Sequence, residues 1–252
     1  MSPSSPDYVA PDPLKPVPVK PDLLLVHGAW FGSWCWDPIT EPLRERGFTV
    51  HTVDLPSVGA AGPRGDLYDD IAAVEAALAR IAGPVVLCGH SYGGLPVSEA
   101  AAGSSNVVAL LYICAFVLPA GVSPLAALGG EPMPWWVPSA DGTSMTPADP
   151  ARLFFNACPP ETAERAARRL VPTSTAPVGQ PLRKAGWLST PSGYVVCTQD
   201  NSLPEPVQQT MAEVLTRTYT LDADHAPFLS RPDELAATLD AAVAELTSLA
   251  RA

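Results

Sequence analysis

A Gly-x-Ser-x-Gly pentapeptide carries the most evident chemistry in this sequence. Ser91 lies between Gly89 and Gly93, directly after an apolar run at residues 85–88 and before an alanine-rich stretch that predicts a helix. A strand that turns at once into a helix strains its turning residue and exposes that residue's hydroxyl above the sheet. The two glycines are needed because side chains there would crowd the turn. The flanking strand and helix favour a nucleophilic Ser91 over the alternative, a glycine-rich turn with an incidental serine.

A serine nucleophile needs a general base within hydrogen-bond reach and a third group that orients this base. The four histidines are His27, His51, His90 and His225. His90 adjoins the serine in the turn and diverges from it. His51 lies within a predicted strand, and His27 follows the first strand, where it could brace the next loop. Only His225, in the loop after the last predicted strand, meets the chain order serine, acid, histidine, and it is the predicted base.

The orienting acid should leave a strand between Ser91 and His225. Asp200 ends such a strand, and the alternative is that it starts an Asx-turn in the following loop. Asp222 and Asp224 lie too close to His225 in sequence to orient it from across a crevice. We therefore predict Asp200 as the acid.

An oxyanion hole requires two converging backbone donors. The N–H of Tyr92, directly after the serine, is the first candidate. The second should come from the loop after the first strand, where Ala29 is the first choice and Trp30 the second.

The apolar periodicity predicts an α/β fold with a mostly parallel sheet, helices on both faces and one domain over residues 22–252. Predicted strands cover residues 22–26, 48–53, 85–88, 107–117, 193–198 and 217–221. Predicted helices cover about 36–46, 67–81, 95–103, 204–215 and 235–249. Residues 1–21 form a proline-rich arm.

The block at about 118–190 is predicted to contain short helices and no strand, and to form a lid over the carboxyl edge of the sheet. It is rich in proline and aromatic residues. The candidates for an apolar substrate pocket are Trp30, Trp135, Trp136, Phe154 and Phe155, and for any one of them packing in the core is the alternative.

The composition describes a globular protein with a sizeable core, since 47% of the 252 residues are hydrophobic and 16% are charged. The net charge of −11 disfavours nucleic acid and anionic membranes as partners. We expect no membrane span, no secretory signal and no metal, and the five cysteines are expected to be reduced in a cytoplasmic protein. A monomer and a homodimer both remain open.

Several motifs together resemble the α/β-hydrolase superfamily. They are HGAWFGSWCW after the first strand, GHSYGG around the serine, the strand ending in Gln199-Asp200, and DHAPFLSRP before the last helix. Within the superfamily they resemble the branch of plant methyl esterases and hydroxynitrile lyases with related bacterial esterases. The pattern that the lyases of this branch resemble has Thr at the place of position 28 and Lys at the place of position 226. Gly28 and Ala226 stand there instead, so cyanohydrin cleavage is not expected.

The resemblance implies that Ser91, Asp200 and His225 form a catalytic triad, with Ala29 and Tyr92 at the oxyanion hole. The expected activity is hydrolysis of a small carboxylic ester through an acyl-enzyme, without a cofactor. The alternatives are hydrolysis of a lactone or a C–C bond, a biosynthetic cyclisation, and non-catalytic binding of a small molecule.

Overall fold

A parallel β-sheet forms the centre of the molecule. The computed structural model describes residues 20–59 and 65–249, so the predicted arm at residues 1–21 lies outside the described part except for its last two residues. The strands of the central sheet are β1 (Asp22–Val26), β2 (Val50–Val53), β3 (Val85–His90), β4 (Val107–Ile113), β8 (Ser192–Cys197) and β9 (Arg217–Leu221). Their order is β2-β1-β3-β4-β8-β9, with every neighbouring pair parallel. The predicted α/β fold is confirmed.

Helices cover both faces of this sheet. They are α1 (Asp37–Glu45), α2 (Leu67–Leu78), α3 (Gly94–Ala101), α8 (Glu205–Ala212), α9 (Pro227–Ser230) and α10 (Pro232–Leu249). Helices α1 and α10 pack together on one face, and α2 packs against α3 on the other. The apolar face predicted for α10, with Leu235, Leu239, Val243 and Leu246, is buried. Because both faces are covered, β3 and β8 are buried along their whole length, as their continuous apolar sequences require.

The chain order reverses between β1 and β3. The chain leaves β1 toward β2 on one side and later returns to form β3 on the other side. Loops that leave the carboxyl ends of two such strands diverge and open a crevice, which is the usual ligand site of an open α/β sheet. The loop at His27–Trp30 and the turn at Ser91 lie at these two strand ends.

The insertion between β4 and β8 contains strands, so the prediction of a strand-free lid is wrong. Three short strands, β5 (Trp136–Pro138), β6 (Ser144–Pro147) and β7 (Thr173–Ser174), form an antiparallel sheet. Four short helices accompany them: α4 (Pro124–Ala127), α5 (Pro150–Phe154), α6 (Pro160–Ala167) and α7 (Ala176–Gly179). The strands have two to four residues and two of them end in proline, so they leave no alternating pattern in the sequence.

The strand predicted at residues 107–117 ends at Ile113. Cys114 follows with a φ of 36°, which is outside the extended region and stops the strand. The apolar residues that continue to Val117 are buried or, at Phe116, partly buried, without being part of the sheet. Burial, and not strand pairing, explains why the run is longer than the strand.

The turn after β3 has the strained geometry that its sequence predicts. Ser91 has a φ of 51°, in the left-handed region that costs a non-glycine residue about 1–3 kcal/mol. A Cβ atom on Gly93 would lie 2.6 Å from the carbonyl oxygens of both Val26 and His27. Glycine is therefore required at position 93, because the turn packs directly against the end of β1.

Replacing this glycine should destabilise the fold measurably. In Gly93→Ala we expect the free energy of unfolding to fall by about 1–3 kcal/mol, because the added methyl group meets backbone atoms that cannot move aside. Gly83→Ala is the matched control, since a Cβ at position 83 would have no neighbour within 4 Å. Urea denaturation of both variants measures the difference, and equal effects would contradict the close packing of the turn.

Candidate active site

Three polar side chains from separate loops meet at the carboxyl edge of the sheet. The Nδ1 atom of His225 lies 2.6 Å from Oδ2 of Asp200, and its Nε2 atom lies 3.0 Å from Oγ of Ser91. A carboxylate only accepts hydrogen bonds, so Nδ1 carries the proton and Nε2 is free to accept the hydrogen bond of the serine hydroxyl. All three residues are buried. This chain of donors and acceptors can transfer a proton from the hydroxyl to the imidazole.

Asp200 makes the contacts expected under both alternatives that its sequence position left open. Its Oδ1 atom accepts hydrogen bonds from the backbone N–H groups of Ser202 (2.7 Å) and Leu203 (2.8 Å), which is the geometry of an Asx-turn. Its Oδ2 atom faces His225. The turn anchors the Oδ1 atom, which leaves Oδ2 available to the imidazole.

His90 contacts His225 from behind. Its Nε2 atom donates a hydrogen bond to the carbonyl oxygen of His225 (2.8 Å), and the thiol of Cys114 donates to the same oxygen (3.5 Å). Burial holds the pKa of His90 well below its usual value, so this imidazole is neutral. These three residues offer ligand atoms within 4.8 Å of one another. Because two of them already donate to the backbone of the third, the cluster is explained by hydrogen bonding that fixes the His225 loop.

His27 and His51 have structural contacts. His27 donates from Nδ1 to the carbonyl of Gly28 (2.8 Å) and accepts at Nε2 from the N–H of Leu55 (3.1 Å), so it braces two loops. His51, on the edge strand β2, contacts the carboxylate of Asp22 at 2.9 Å. Neither imidazole is hydrogen-bonded to the serine.

The loop after β1 packs directly on the serine turn. A Cβ atom on Gly28 would lie 2.8 Å from Cβ of Ser91 and 2.9 Å from Nδ1 of His90, so no larger residue fits without movement. This excludes the threonine of the lyase pattern from the observed geometry. The close approach also brings Ala29 into the same cavity wall as Ser91 and Tyr92.

An apolar cavity lies over the serine. Residues from the lid and from the core line it: Ala29, Trp30, Ser91, Tyr92, Phe116, Pro124, Leu128, Met133, Trp135, Trp136, Met145, Thr173, Ser174, Pro177, Val178, Ser202, Leu203, Pro204 and Val207. Among the described residues of this lining, none is Asp, Glu, Lys, Arg or His. Of the residues predicted for a pocket, the three tryptophans line the cavity.

Phe154 and Phe155 do not line the cavity, although both were candidates for it. They are buried in the core below the lid. The Phe154 ring stacks on Trp30 with a centroid separation of 5.6 Å and lies 5.4 Å from the His225 ring. Phe154 therefore supports a wall residue and the imidazole from behind, and the sequence could not distinguish that position from direct exposure to a ligand.

The lid is fastened to the core by hydrogen bonds around the cavity. The indole N–H of Trp30 donates to the carbonyl of Met145 (3.0 Å), and the N–H of Val171 donates to the carbonyl of Trp30 (3.0 Å). The N–H of Ser174 donates to the carbonyl of Ser57 (2.7 Å). Trp30 is thus both a wall of the cavity and a fastening point for the lid.

Two buried polar residues beside the site were not found from the sequence. Asp70 accepts hydrogen bonds from the hydroxyl of Tyr92 (2.6 Å) and the N–H of Ser57 (2.9 Å). Burial raises the pKa of Asp70 to about 6, and the hydrogen bonds from Ser57 and Tyr92 oppose this shift. Gln208, on α8, lies 3.2 Å from the carboxylate of Asp200. Both residues are in helices with no motif around them, so no sequence pattern indicates their role.

The comparisons with known proteins agree with this fold and site. The sequence profile of the alpha/beta hydrolase family matches residues 23–238. The alpha/beta hydrolase nvfD of Aspergillus novofumigatus (strain IBT 16806) is 32% identical over 85% of this chain and 93% of its own length. Methyl jasmonate esterase 1 of Vitis vinifera is 27% identical over 86% of this chain and 94% of its own length. The crystal structure of a pyrethroid hydrolase from Sphingobium faniae JZ-2 superposes with a TM-score of 0.78 at 28% identity, covering 89% of this chain and 97% of the other.

The chain belongs to the α/β-hydrolase family. Its relatives include plant methylesterases and a bacterial pyrethroid hydrolase, which confirms the branch that the motifs resemble. Like these relatives, it is a carboxylesterase-like enzyme. Within the part of the chain that the structure describes, every helix is too short or too polar to cross a lipid bilayer.

The raised pKa of Asp70 makes a prediction about stability. The pKa is about 6 in the folded protein against an ordinary value of 3.8, so the folded state holds this proton more tightly than the unfolded state. The contribution of Asp70 to stability is therefore greatest at low pH and is lost as the pH rises from about 4 to about 6. In Asp70→Asn this loss does not occur. The free energy of unfolding of the variant minus that of wild type should therefore increase between about pH 4 and about pH 6 and then level off.

Asp66→Asn is the control with the opposite sign. The side chain of Gln180 and two backbone N–H groups lower the pKa of Asp66, so its contribution appears as the pH rises and is lost in acid. Unfolding curves in denaturant from about pH 4 to pH 7.5 measure both variants. A flat difference between Asp70→Asn and wild type would contradict the assigned pKa.

Proposed function

We propose that the protein is a serine esterase in which Ser91, His225 and Asp200 act as a catalytic triad. The observation that carries this proposal is the continuous hydrogen-bonded chain from the serine hydroxyl through the imidazole to the buried carboxylate, at the floor of an apolar cavity. The strained backbone of Ser91 directs its hydroxyl out of the turn, as a nucleophile requires.

Acylation begins when Nε2 of His225 accepts the proton of Ser91 and Oγ attacks the ester carbonyl. Asp200 stabilises the imidazolium and keeps Nδ1 protonated. The backbone N–H groups of Ala29 and Tyr92 stabilise the negative charge that develops on the carbonyl oxygen. His225 then gives its proton to the leaving alcohol, and the acyl group remains on the serine.

Deacylation repeats these proton transfers with water as the nucleophile. His225 accepts a proton from the water, which attacks the acyl carbonyl, and then returns the proton to Oγ of Ser91. The acid product leaves and the starting state is restored. The two half-reactions together use groups of this chain, the ester and one water molecule.

The cavity favours an uncharged ester. A charged group moved from water into a lining without ionised partners loses its hydration and gains no counter-ion. Among the described lining residues, Tyr92 carries the most acidic side-chain proton, that of its phenol group. Burial raises its pKa well above the ordinary value, so it stays neutral. Neutral acyl and alcohol groups with aliphatic or aromatic surface are therefore the substrates proposed for this site.

The role of Ser91 is tested by hydrolysis of p-nitrophenyl esters from acetate to octanoate. In Ser91→Ala we expect kcat to fall by about 10⁶-fold, because no acyl-enzyme can form. Ser202→Ala is the matched control, since it removes another cavity hydroxyl and keeps the N–H that binds Asp200. A Ser91→Ala variant with wild-type turnover would disprove the proposed function.

The preference for neutral substrates is tested with two esters of similar length, p-nitrophenyl butyrate and mono-p-nitrophenyl succinate. We expect kcat/KM to be at least about 100-fold higher for the neutral ester, because the anionic one must lose its hydration in the cavity. In Val178→Lys, which places a cation in the lining, the ratio should decrease. Equal rates for both esters in wild type would show that the acyl group binds outside this cavity.

A further inference from the structure

Gln208 is a fully buried polar residue with an unusual number of partners. Its Oε1 atom accepts a hydrogen bond from the N–H of Cys197 (2.9 Å). Its Nε2 group has two protons and lies within hydrogen-bond distance of three acceptors, the carbonyls of Leu203 (2.7 Å) and Cys197 (3.1 Å) and Oδ2 of Asp200 (3.2 Å), so one proton is shared between two of them. One side chain on α8 thus contacts the end of strand β8, the acid and a wall residue of the cavity.

These partners allow only one orientation of the amide. Oε1 can only accept, and among these contacts the N–H of Cys197 is the one donor. A flipped amide would place Oε1 against two carbonyl oxygens and a carboxylate. Gln208 therefore presents its NH₂ group, and a partial positive charge, to Asp200.

The carboxylate of Asp200 depends on this donor. Two backbone N–H groups occupy Oδ1, whereas Oδ2 receives only Nδ1 of His225 and Nε2 of Gln208. Without Gln208, the Oδ2 atom would keep a single hydrogen bond and the carboxylate could rotate about its bond to Cβ. Rotation would move the acceptor that fixes the tautomer and the orientation of His225.

We propose that Gln208 is a positioning residue of the active site, which holds Oδ2 of Asp200 in place for His225. This inference rests on the proposed triad and adds a fourth side chain to it. Gln208 acts through Asp200, so its loss should lower kcat with little effect on KM. It also shares the negative charge of Asp200, so its loss should stabilise the imidazolium form of His225.

The other titratable groups around His225 and Asp200 do not obscure the pH dependence of His225. The titratable groups that face it, besides Asp200, are His90, Cys114, Tyr194, Cys197 and Asp224. Burial lowers the pKa of His90 and raises those of Cys114 and Tyr194 well away from their ordinary values, so these three stay neutral between about pH 5 and pH 9. Asp224 accepts hydrogen bonds from two backbone N–H groups and a hydroxyl.

The test compares Gln208→Met and Gln208→Glu with wild type, using p-nitrophenyl butyrate at pH 5 to 9. Methionine keeps the length of the side chain and removes the donor, and glutamate keeps the shape and adds a negative charge beside Asp200. In Gln208→Met we expect kcat to fall by about 10- to 100-fold, with KM within about twofold of wild type. The acid limb of kcat/KM should move to higher pH in Gln208→Met and further in Gln208→Glu.

Gln209→Met is the matched control. Gln209 is the next residue on α8 and is partly exposed, and among the described residues its side chain has one hydrogen bond, to the side chain of Glu205 at 3.5 Å. Its replacement should leave kcat and the pH profile unchanged. The profiles are repeated in the Asp70→Asn background, which removes the titration of Asp70 near pH 6 from beside the serine turn.

If the acid limb of the kcat/KM profile stays at the wild-type pH in both variants, the proposal is overturned, even if kcat falls. A purely structural role would lower the activity without shifting this limb. If Gln208→Met does not fold, Gln208→Glu decides alone, since it retains the shape of glutamine. Ser91→Ala separates the two hypotheses. If Ser91→Ala is inactive and the limb does not move, only the role of Gln208 is wrong, whereas an active Ser91→Ala would reject the triad itself.

Discussion

The contact between the serine turn and the end of β1 is the constraint on which the site depends. At Gly93 the two backbones approach so closely that a single methyl group would meet two carbonyl oxygens at 2.6 Å. This contact holds Ser91 at its positive φ, places the N–H of Tyr92 beside the serine, and presses the Ala29 loop against the same turn. The proposed nucleophile and both proposed oxyanion donors are thereby fixed by main-chain packing. Such donors need no reorganisation when charge develops, which makes them effective in stabilising a transition state.

Around this rigid turn, hydrogen bonds fix the direction of several polar groups of the site. His90 and Cys114 hold the carbonyl of His225, the Asx-turn and Gln208 hold Asp200, and Asp70 holds the hydroxyl of Tyr92. Aromatic rings exclude water from the spaces between these groups. A hydrogen bond in such surroundings is electrostatically stronger than in water, and a missing partner is correspondingly costly. The order of the site therefore follows from the hydrogen bonds of a small number of buried polar groups.

The sequence was sufficient for those parts of the site that depend on local pattern or on chain order. Ser91 is indicated by its glycines, His225 by its place after the last strand, and Asp200 by the end of β8. Gln208 and Asp70 could not be found in this way, because their roles depend on which strand ends their helices pack against. The lid strands were missed for a similar reason: Thr173 pairs with Met145 across a long stretch of chain, and two or three residues of pairing leave no period to detect. Phe154 shows the same limit, because an aromatic residue packed behind the cavity wall and one that forms part of the cavity wall have the same sequence pattern.

The distribution of charge in the site bears on how a catalytic cycle would end. The protein has a net charge of −11, yet the described residues of the cavity lining include no ionised side chain and the carboxylate of the proposed triad is enclosed by four donors. A neutral ester enters such a cavity without losing strong hydration. Hydrolysis converts it into a carboxylate that has no counter-ion in the lining and that the acidic protein repels. The same apolar surface that binds the substrate therefore disfavours the acid product, so the cavity favours release without a dedicated exit group.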